Sequence, residues 1–502
     1  MTARTLFSLR SVHTTAALLL AAALAGCAST NAPGPAPSVA TPPAGMAALP
    51  HGGVATDLAR WWASFSDPLL PMLVDAAQAA SPTLAAAAAR IERARATRVA
   101  AGAAALPQID AVGSLSRGRS LPRQPSATGA SLGLQAAWEI DLFGGLAAGR
   151  SAAQARLEGA QAGWHGARVS LAAEVASSYV ELRGCEAQLA QGRLDAASRE
   201  ETSRLTELSA RAGFTAPADA ALARASAAQS RGLVLARQAQ CETLLKSLVE
   251  VTALAEPTLR ERLAAGTAAL PAPTPIAVAT LPADLLAQRP DLAEAARNVV
   301  AAAGDRRSAE TRELPQVRLS GSLSGAVVRS AGLSMNGSTS GNTSGNTNGS
   351  TWSLGPLLVS LPVFDGGFSA ADSAASRAEY DAAVVVYQAQ LRRAWREVET
   401  AFVALDSTAR RQQDAEAAAR DFEASLVATQ ARQRSGLASL FELEAARRNA
   451  VQAQSALVDL LAERATAWIS LYRALGGGWQ AGALAAPASP ALVGTRSTPA
   501  QP

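Results

Sequence analysis

Few residues in this 502-residue chain are of a type that could do covalent chemistry; there are three cysteines and three histidines. Cys27 is the best placed of them. It ends Leu24-Ala25-Gly26-Cys27, which closes an apolar run from Val12 to Leu24 preceded by Arg4 and Arg10. The run is about 13 residues, short of the roughly 20 that cross a bilayer as a helix, and its charged start and small-residue end are those of an export signal. The ending matches the bacterial lipobox, in which cleavage before the cysteine frees its amine and thiol for acylation. Residues 1–26 are therefore predicted to be a signal peptide and Cys27 the lipidated first residue of the mature chain. An ordinary signal peptide cleaved at Ala-Gly is the alternative. Ser29 rather than Asp stands two residues beyond Cys27, which resembles lipoproteins sorted to the outer membrane. Residues 27–56, rich in Pro, Ala and Gly, read as a flexible tether.

Cys185 lies 28 residues before Gly213 and Cys241 lies 28 after it. In an antiparallel hairpin turning at Gly213 the two thiols sit at one height, so an oxidising compartment permits a disulfide. Two buried thiols on separate faces satisfy the same spacing. Other chemistry is poorly supported. Gly129-Ala130-Ser131-Leu132-Gly133 fits the G-x-S-x-G pattern but lies inside an alternating strand, not at a strand-to-helix elbow. Past the signal only His51 and His165 remain, one in the tether and one on a helix, which excludes a histidine-based metal cluster. No phosphate-binding or dinucleotide fingerprint occurs. The expectation is a chain without catalytic residues, metal or cofactor.

Charge adds another exclusion. The net charge is +4, and it falls to +2 once Arg4 and Arg10 leave with the signal. Arginine and acidic residues are interspersed, so no basic stripe for nucleic acid exists. The apolar fraction is 49% but only 4% is aromatic, and most of the remainder is Ala. Such a chain buries little per residue and favours long, closely packed helices over one large core.

The strongest organisational signal is an internal repeat. Ser81-Pro82-Thr83-Leu84 recurs as Arg289-Pro290-Asp291-Leu292, and Leu106-Pro107-Gln108 as Leu314-Pro315-Gln316, both at an offset of 208. Leu142-Phe143-Gly144-Gly145 is echoed by Phe364-Asp365-Gly366-Gly367. Val175, Tyr179, Val180 and Leu182 are echoed by Val398, Phe402, Val403 and Leu405, and Arg211-Ala212-Gly213 by Arg434-Ser435-Gly436. The offset grows because the second half carries a Gly/Ser/Asn/Thr tract, Asn336 to Thr351, read as a solvated extracellular loop.

Each unit has one grammar: a helix after a proline, a strand pair, then a long helical hairpin. Leu132, Leu134, Ala136, Trp138, Ile140 and Leu142 alternate with Gly133, Gln135, Glu139 and Asp141, a period of two with one greasy face. The last strand, Trp352 to Phe364, loses that alternation at Pro356 and Pro362, which suits an edge or a bend. Val384, Tyr387, Leu391, Trp395, Val398, Phe402 and Leu405 form a heptad-like seam. The units are placed at 57–265 (strand pair 106–143, hairpin 145–253) and 284–480 (helix 290–312, strand pair 314–365, hairpin 367–476). A Pro-rich linker, 266–283, joins them, and 481–502 is a disordered tail. Four strands cannot close a barrel, for which about eight is the working minimum, so an apolar outward face requires several copies to share one barrel.

The chain at this point resembles the TolC-type outer-membrane efflux factors, in their lipidated OprM/NodT-like branch. The resemblance rests on Trp61-Trp62 with Phe65 and Asp67-Pro68-Leu69, and on Ala287-Gln288-Arg289-Pro290-Asp291-Leu292. It continues in Leu361-Pro362-Val363-Phe364-Asp365-Gly366-Gly367 and in the terminal Leu471-Tyr472-Arg473-Ala474-Leu475-Gly476-Gly477-Gly478-Trp479. It implies an α+β membrane protein: a homotrimer with a 12-stranded β-barrel, four strands per chain, continued by an α-helical coiled-coil tunnel. The implied function is passive export of small molecules from the periplasm, docked through a periplasmic adaptor to an inner-membrane pump. A protein-secretion duct and an adhesive surface lipoprotein are the other readings. The family closes its tunnel where the hairpins turn, near Gly213 and Gly436. Its pattern of Leu, Asp and Arg after the second turn falls here on Phe441, Ala445 and Arg448, so the acid is missing and Glu442, Glu444 or Asp219 would have to supply it. The same charges also fit an ordinary solvated helix face.

Overall fold

The structure is a computed structural model that describes residues 58–65, 67–118, 127–272, 289–330 and 347–479. The predicted signal peptide, Cys27 and the tether lie outside the described residues, as do 481–502, most of the linker 266–283 and the tract up to residue 346.

After a 3-10 turn at Leu58–Ser64, the chain forms α1 (Leu69–Ala80) and α2 (Pro82–Ala103). Ser81 caps α2, its hydroxyl accepting from Leu84 N–H at 3.3 Å, and Pro82 fills the first helical position, where no donor is needed. Strands β1 (Gln108–Gly118) and β2 (Ala127–Ile140) follow, then α3 (Gly145–Arg211), α4 (Pro217–Thr252) and the short α5 (Glu256–Ala264). The second half runs α6 (Pro290–Glu310), β3 (Gln316–Ser330), β4 (Thr347–Ser360), α7 (Phe368–Arg434) and α8 (Leu440–Ala474). At 67 residues each, α3 and α7 are about 100 Å long. Both halves contain a helix, a strand pair, a long helix and a returning helix in that order, while α1 and α5 have no counterpart among the described residues of the second half; α3 and α7 are each entered from a left-handed glycine, Gly144 and Gly367. That pairing moves the echo predicted between Gly144-Gly145 and Gly366-Gly367 by one residue.

The strands form one antiparallel sheet in the order β1-β2-β3-β4, so β2 and β3 join the two halves. Register sorts the side chains by face. Leu134 opposes Ala111 and Leu323, Leu323 opposes Trp352, and Trp138 opposes Leu319. The other face pairs Ser114 with Ser131, Ser322 with Ser353 and Ser324 with Thr351, each pair hydrogen-bonded at 2.8–3.1 Å. The broken alternation in the last strand has a physical cause. One extra residue at Gly355-Pro356 shifts the register, Gly321 facing Leu354 and Leu319 facing Leu357, so Leu354 and Leu357 share a face despite their odd spacing. The strand's limits differ from expectation at both ends. Thr347 to Thr351, predicted as loop, are strand because β3 supplies ladder partners as far as Val328. Leu361 to Phe364, predicted as strand, are not: pairing ends at Ser360, and Pro362 has no N–H to continue it.

The main core forms against the middle of α3, from Val169 to Leu189. Trp61 stacks on Tyr472 at 5.2 Å, Trp62 meets the same ring edge-on at 4.5 Å, and around them lie Leu70 and Leu73 of α1, Val175 and Tyr179 of α3, and Leu248 of α4. Tyr179 donates to Asp67, and Arg183 donates to Tyr179 at 2.9 Å, to Glu186 at 2.8 Å and to Leu263 O at 3.0 Å. Arg289 ties α6 to α7 through Glu397 at 2.8 Å and to α8 through Ala474 O at 2.9 Å. On the seam of α7, Tyr387 packs on Ala295 and Val299 of α6, while Val398 and Phe402 join the main core.

Candidate functional site

The free ends of the two hairpins carry the residues singled out for gating. Both turns are built alike. Gly213 has φ +81° and Gly436 φ +75°, a region a side chain penalises, and a Cβ added at either would meet nothing within 4 Å beyond its own chain neighbours. Phe214 N–H donates back to Ser209 O at 2.9 Å and Leu437 N–H to Arg432 O at 2.8 Å, the bond that closes a Schellman turn. The residue after each glycine is thereby presented to solvent: Phe214 is 86% and Leu437 71% exposed. The sequence reading passed over both, although an apolar residue directly after a turn glycine is the available signal.

The candidates separate by function. Phe441, 61% exposed, stands on the first turn of α8. Arg448 is exposed two turns further on and makes no ion pair among the described residues. Asp219 lies on the first turn of α4, where a carboxylate suits the positive end of the helix dipole. Glu442 is occupied elsewhere. It closes a capping box, accepting Ser439 N–H at 2.6 Å while Ser439 Oγ accepts Glu442 N–H at 3.2 Å, and that backbone bond holds its carboxyl below the usual range.

Glu444 is not on a solvated face. It is buried where α8 crosses the first hairpin, at the centre of a knot that joins three helices. Arg199 of α3 donates to Glu444 at 2.8 Å, to Asp195 at 2.8 Å and to Ser226 of α4 at 2.6 Å. Ser226 donates to Glu444 at 2.7 Å, and Arg447 donates to Glu444 at 2.6 Å and to Ser198 at 2.8 Å. Two cations and two carboxylates balance, which makes the burial tolerable. The knot is incompletely satisfied: Arg447 Nε and Asp195 Oδ1 are buried with no hydrogen bond. Burial also pushes the Arg447 guanidinium below its ordinary range, partly offset by Glu444. Arg199 and Arg447 were not foreseen. The i,i+4 pair Asp195/Arg199 and the i,i+3 pair Glu444/Arg447 were legible, but not that they meet.

Above the tips, Cys185 and Cys241 are joined as a disulfide between α3 and α4, with Cα atoms 5.6 Å apart. Among the described residues no group of three or more His, Cys, Asp or Glu could hold a metal ion, and no helix is long and apolar enough to cross a membrane.

Residues 73–253 and 281–477 match the family described as outer membrane efflux protein. The chain belongs to that family. Among relatives of this efflux protein, the pyoverdine export outer membrane protein OpmQ of Pseudomonas aeruginosa is 29% identical over 493 residues, 94% of this chain and 98% of OpmQ. Nodulation protein T of Rhizobium leguminosarum bv. trifolii is 28% identical over 444 residues, 86% and 91% of the two chains. The solved outer-membrane channel OprN superimposes with a TM-score of 0.73 at 26% identity, covering 88% of this efflux protein and 99% of OprN. The Campylobacter jejuni CmeC channel shares the fold, with a TM-score of 0.74 at 22% identity over 87% and 92%. The efflux protein is thus the outer-membrane channel of a tripartite efflux system, reaching into the periplasm and working as a trimer with a periplasmic adaptor and an inner-membrane pump. Its relatives are efflux channels and not enzymes.

Proposed function

We propose that the efflux protein is a passive duct for small molecules, a trimer whose three sheets close one 12-stranded barrel and whose hairpins form a tunnel gated at the tips. The observation that carries this reading is the sheet: one exposed apolar face, one polar face with hydroxyl ladders, and two open edges at β1 and β4. On β2 the apolar face runs from Ala130 to Ile140. At about 3.3 Å per residue and a tilt near 40° that is on the order of 25 Å, the height of a barrel's lipid-facing band. The polar face then lines water. The chain is an internally duplicated unit, each copy supplying a strand pair and a hairpin. It does no catalysis, and the pump supplies the driving energy. Cys27 carries the lipid that holds the mature chain to the outer membrane, with residues 27–56 as the tether.

In this reading Phe441 forms the apolar constriction and Arg448 lines it. The Arg199–Glu444–Arg447 knot ties the second hairpin to the first in the closed state. The two orphaned polar atoms make it a latch that costs little to release, since part of its desolvation is never repaid. Single-channel recording in planar bilayers tests it. Glu444→Gln leaves Arg199 and Arg447 without their shared carboxylate, and Arg448→Ala alters the constriction; both are expected to raise mean conductance severalfold over a mostly closed wild type. Folded trimers of both variants conducting like wild type would remove these residues from the gate. In cells, deletion is expected to sensitise to drugs or aromatic acids; loss of a secreted protein with unchanged sensitivity would favour polypeptide secretion.

A further inference from the structure

The two connections from sheet to hairpin differ. Residues 141–144 link β2 to α3, whereas 361–367 link β4 to α7, three residues more. The extra length is apolar and stands in the open: Val363 is 90% and Phe364 92% exposed, with Leu361 before them and Phe368 on the first turn of α7 exposed as well. In the shorter connection the aromatic residue, Phe143, is half-buried.

The exposure is held by the backbone. Pairing with β3 ends at Ser360, and Pro362 turns the chain out of the ladder. Asp365 then fastens the far end, its carboxylate accepting Gly367 N–H and Ser369 N–H, both at 2.9 Å. Between these two constraints Leu361, Val363 and Phe364 have no route back into the core. The loop follows directly on the end of β4 that carries Leu357 and Val359 on the apolar face, the end of the sheet from which the long helices leave.

We infer that residues 361–364 with Phe368 form an apolar shelf that lies in the periplasmic leaflet of the outer membrane, among acyl chains next to the headgroups. The shelf rests on the barrel reading above and extends it, because its occupant follows from continuity with the lipid-facing face. Apolar and aromatic side chains at the rim of a barrel's apolar band are stable at that depth.

Site-directed spin labelling of the full-length protein in phosphatidylethanolamine/phosphatidylglycerol vesicles tests the shelf. Cys185 and Cys241 are already bonded to each other, so an unsubstituted sample sets the labelling background. Labels at Phe364→Cys and, independently, Val363→Cys are expected to collide readily with oxygen and poorly with a water-soluble nickel chelate. Their depth should be shallower than that of a label at Leu354→Cys. Strong collision with the nickel chelate would place the loop in water, and weak collision with both reagents would place it under a neighbouring protomer; either result overturns the shelf. The Leu354→Cys and Ser353→Cys labels judge the barrel separately. Lipid exposure at Leu354 with water exposure at Ser353 upholds the barrel whatever the loop does, and water exposure at Leu354 fells both.

Discussion

Two glutamates of α8, Glu442 and Glu444, are two residues apart in sequence and unrelated in role. One caps the start of a helix and the other sits in a buried ion knot, because a two-residue step turns a side chain by roughly 200° about the axis. Nearness in sequence therefore does not give the two carboxylates one environment. Gly213 and Gly436 are the opposite case, since a left-handed turn residue between two long helices is specified locally. Space is open around both glycines, so an added side chain meets only the backbone penalty. Gly436→Ala is expected to cost about 1–2 kcal/mol locally, and Gly436→Asn less, because Asn tolerates that conformation better. Hydrogen exchange in the last turn of α7 checks this: the Leu437 amide should lose protection more in the alanine variant than in the asparagine one. Equal exchange in both would contradict the turn argument.

At the scale of elements, the halves share helices and strands but not cross-links. The disulfide clamps α3 to α4, whereas the residues 223 positions on, Thr408 and Arg464, cannot bond in that way. Closing a loop of 56 residues restricts the unfolded chain by an amount worth about 4 kcal/mol in the chain-entropy account. Cys185→Ser/Cys241→Ser is therefore expected to unfold its first hairpin earlier in a thermal or urea scan and to leave the second unaffected. Limited proteolysis along the scan locates the change; cuts appearing first between residues 368 and 474 would refute the assignment. Much of the element layer was readable. The prolines at 82 and 290, the turn glycines and the period-two strand were local signals. The limits of β4 were not, because they depend on partners in β3 and on an extra residue at Gly355-Pro356.

For the whole molecule, the proposed barrel requires partners from other copies at the open edges of β1 and β4, since a bare edge inside a membrane would leave backbone groups unsatisfied. Within one chain β1 and β4 are separated by two strands, roughly 14 Å at the usual strand spacing, too far for a disulfide. Ser114→Cys combined in turn with Thr351→Cys or Ser353→Cys is thus expected to give covalent trimers on oxidation. Monomer bands throughout, from protein that still migrates as a native trimer, would show that the edges do not meet. Patterns with short periods determined what the sequence could say alone: strand faces, helix lengths and turn glycines are properties of neighbouring residues. Tertiary structure decided what depends on helices far apart in the chain. Asp195, Arg199 and Ser226 meet Glu444 and Arg447 across more than 200 residues, Arg289 reaches Glu397 and Ala474, and Asp67 receives Tyr179. No periodicity encodes such meetings, because helices as long as α3 and α8 could slide past one another by a turn and keep every local preference; only the packed set of side chains selects the register.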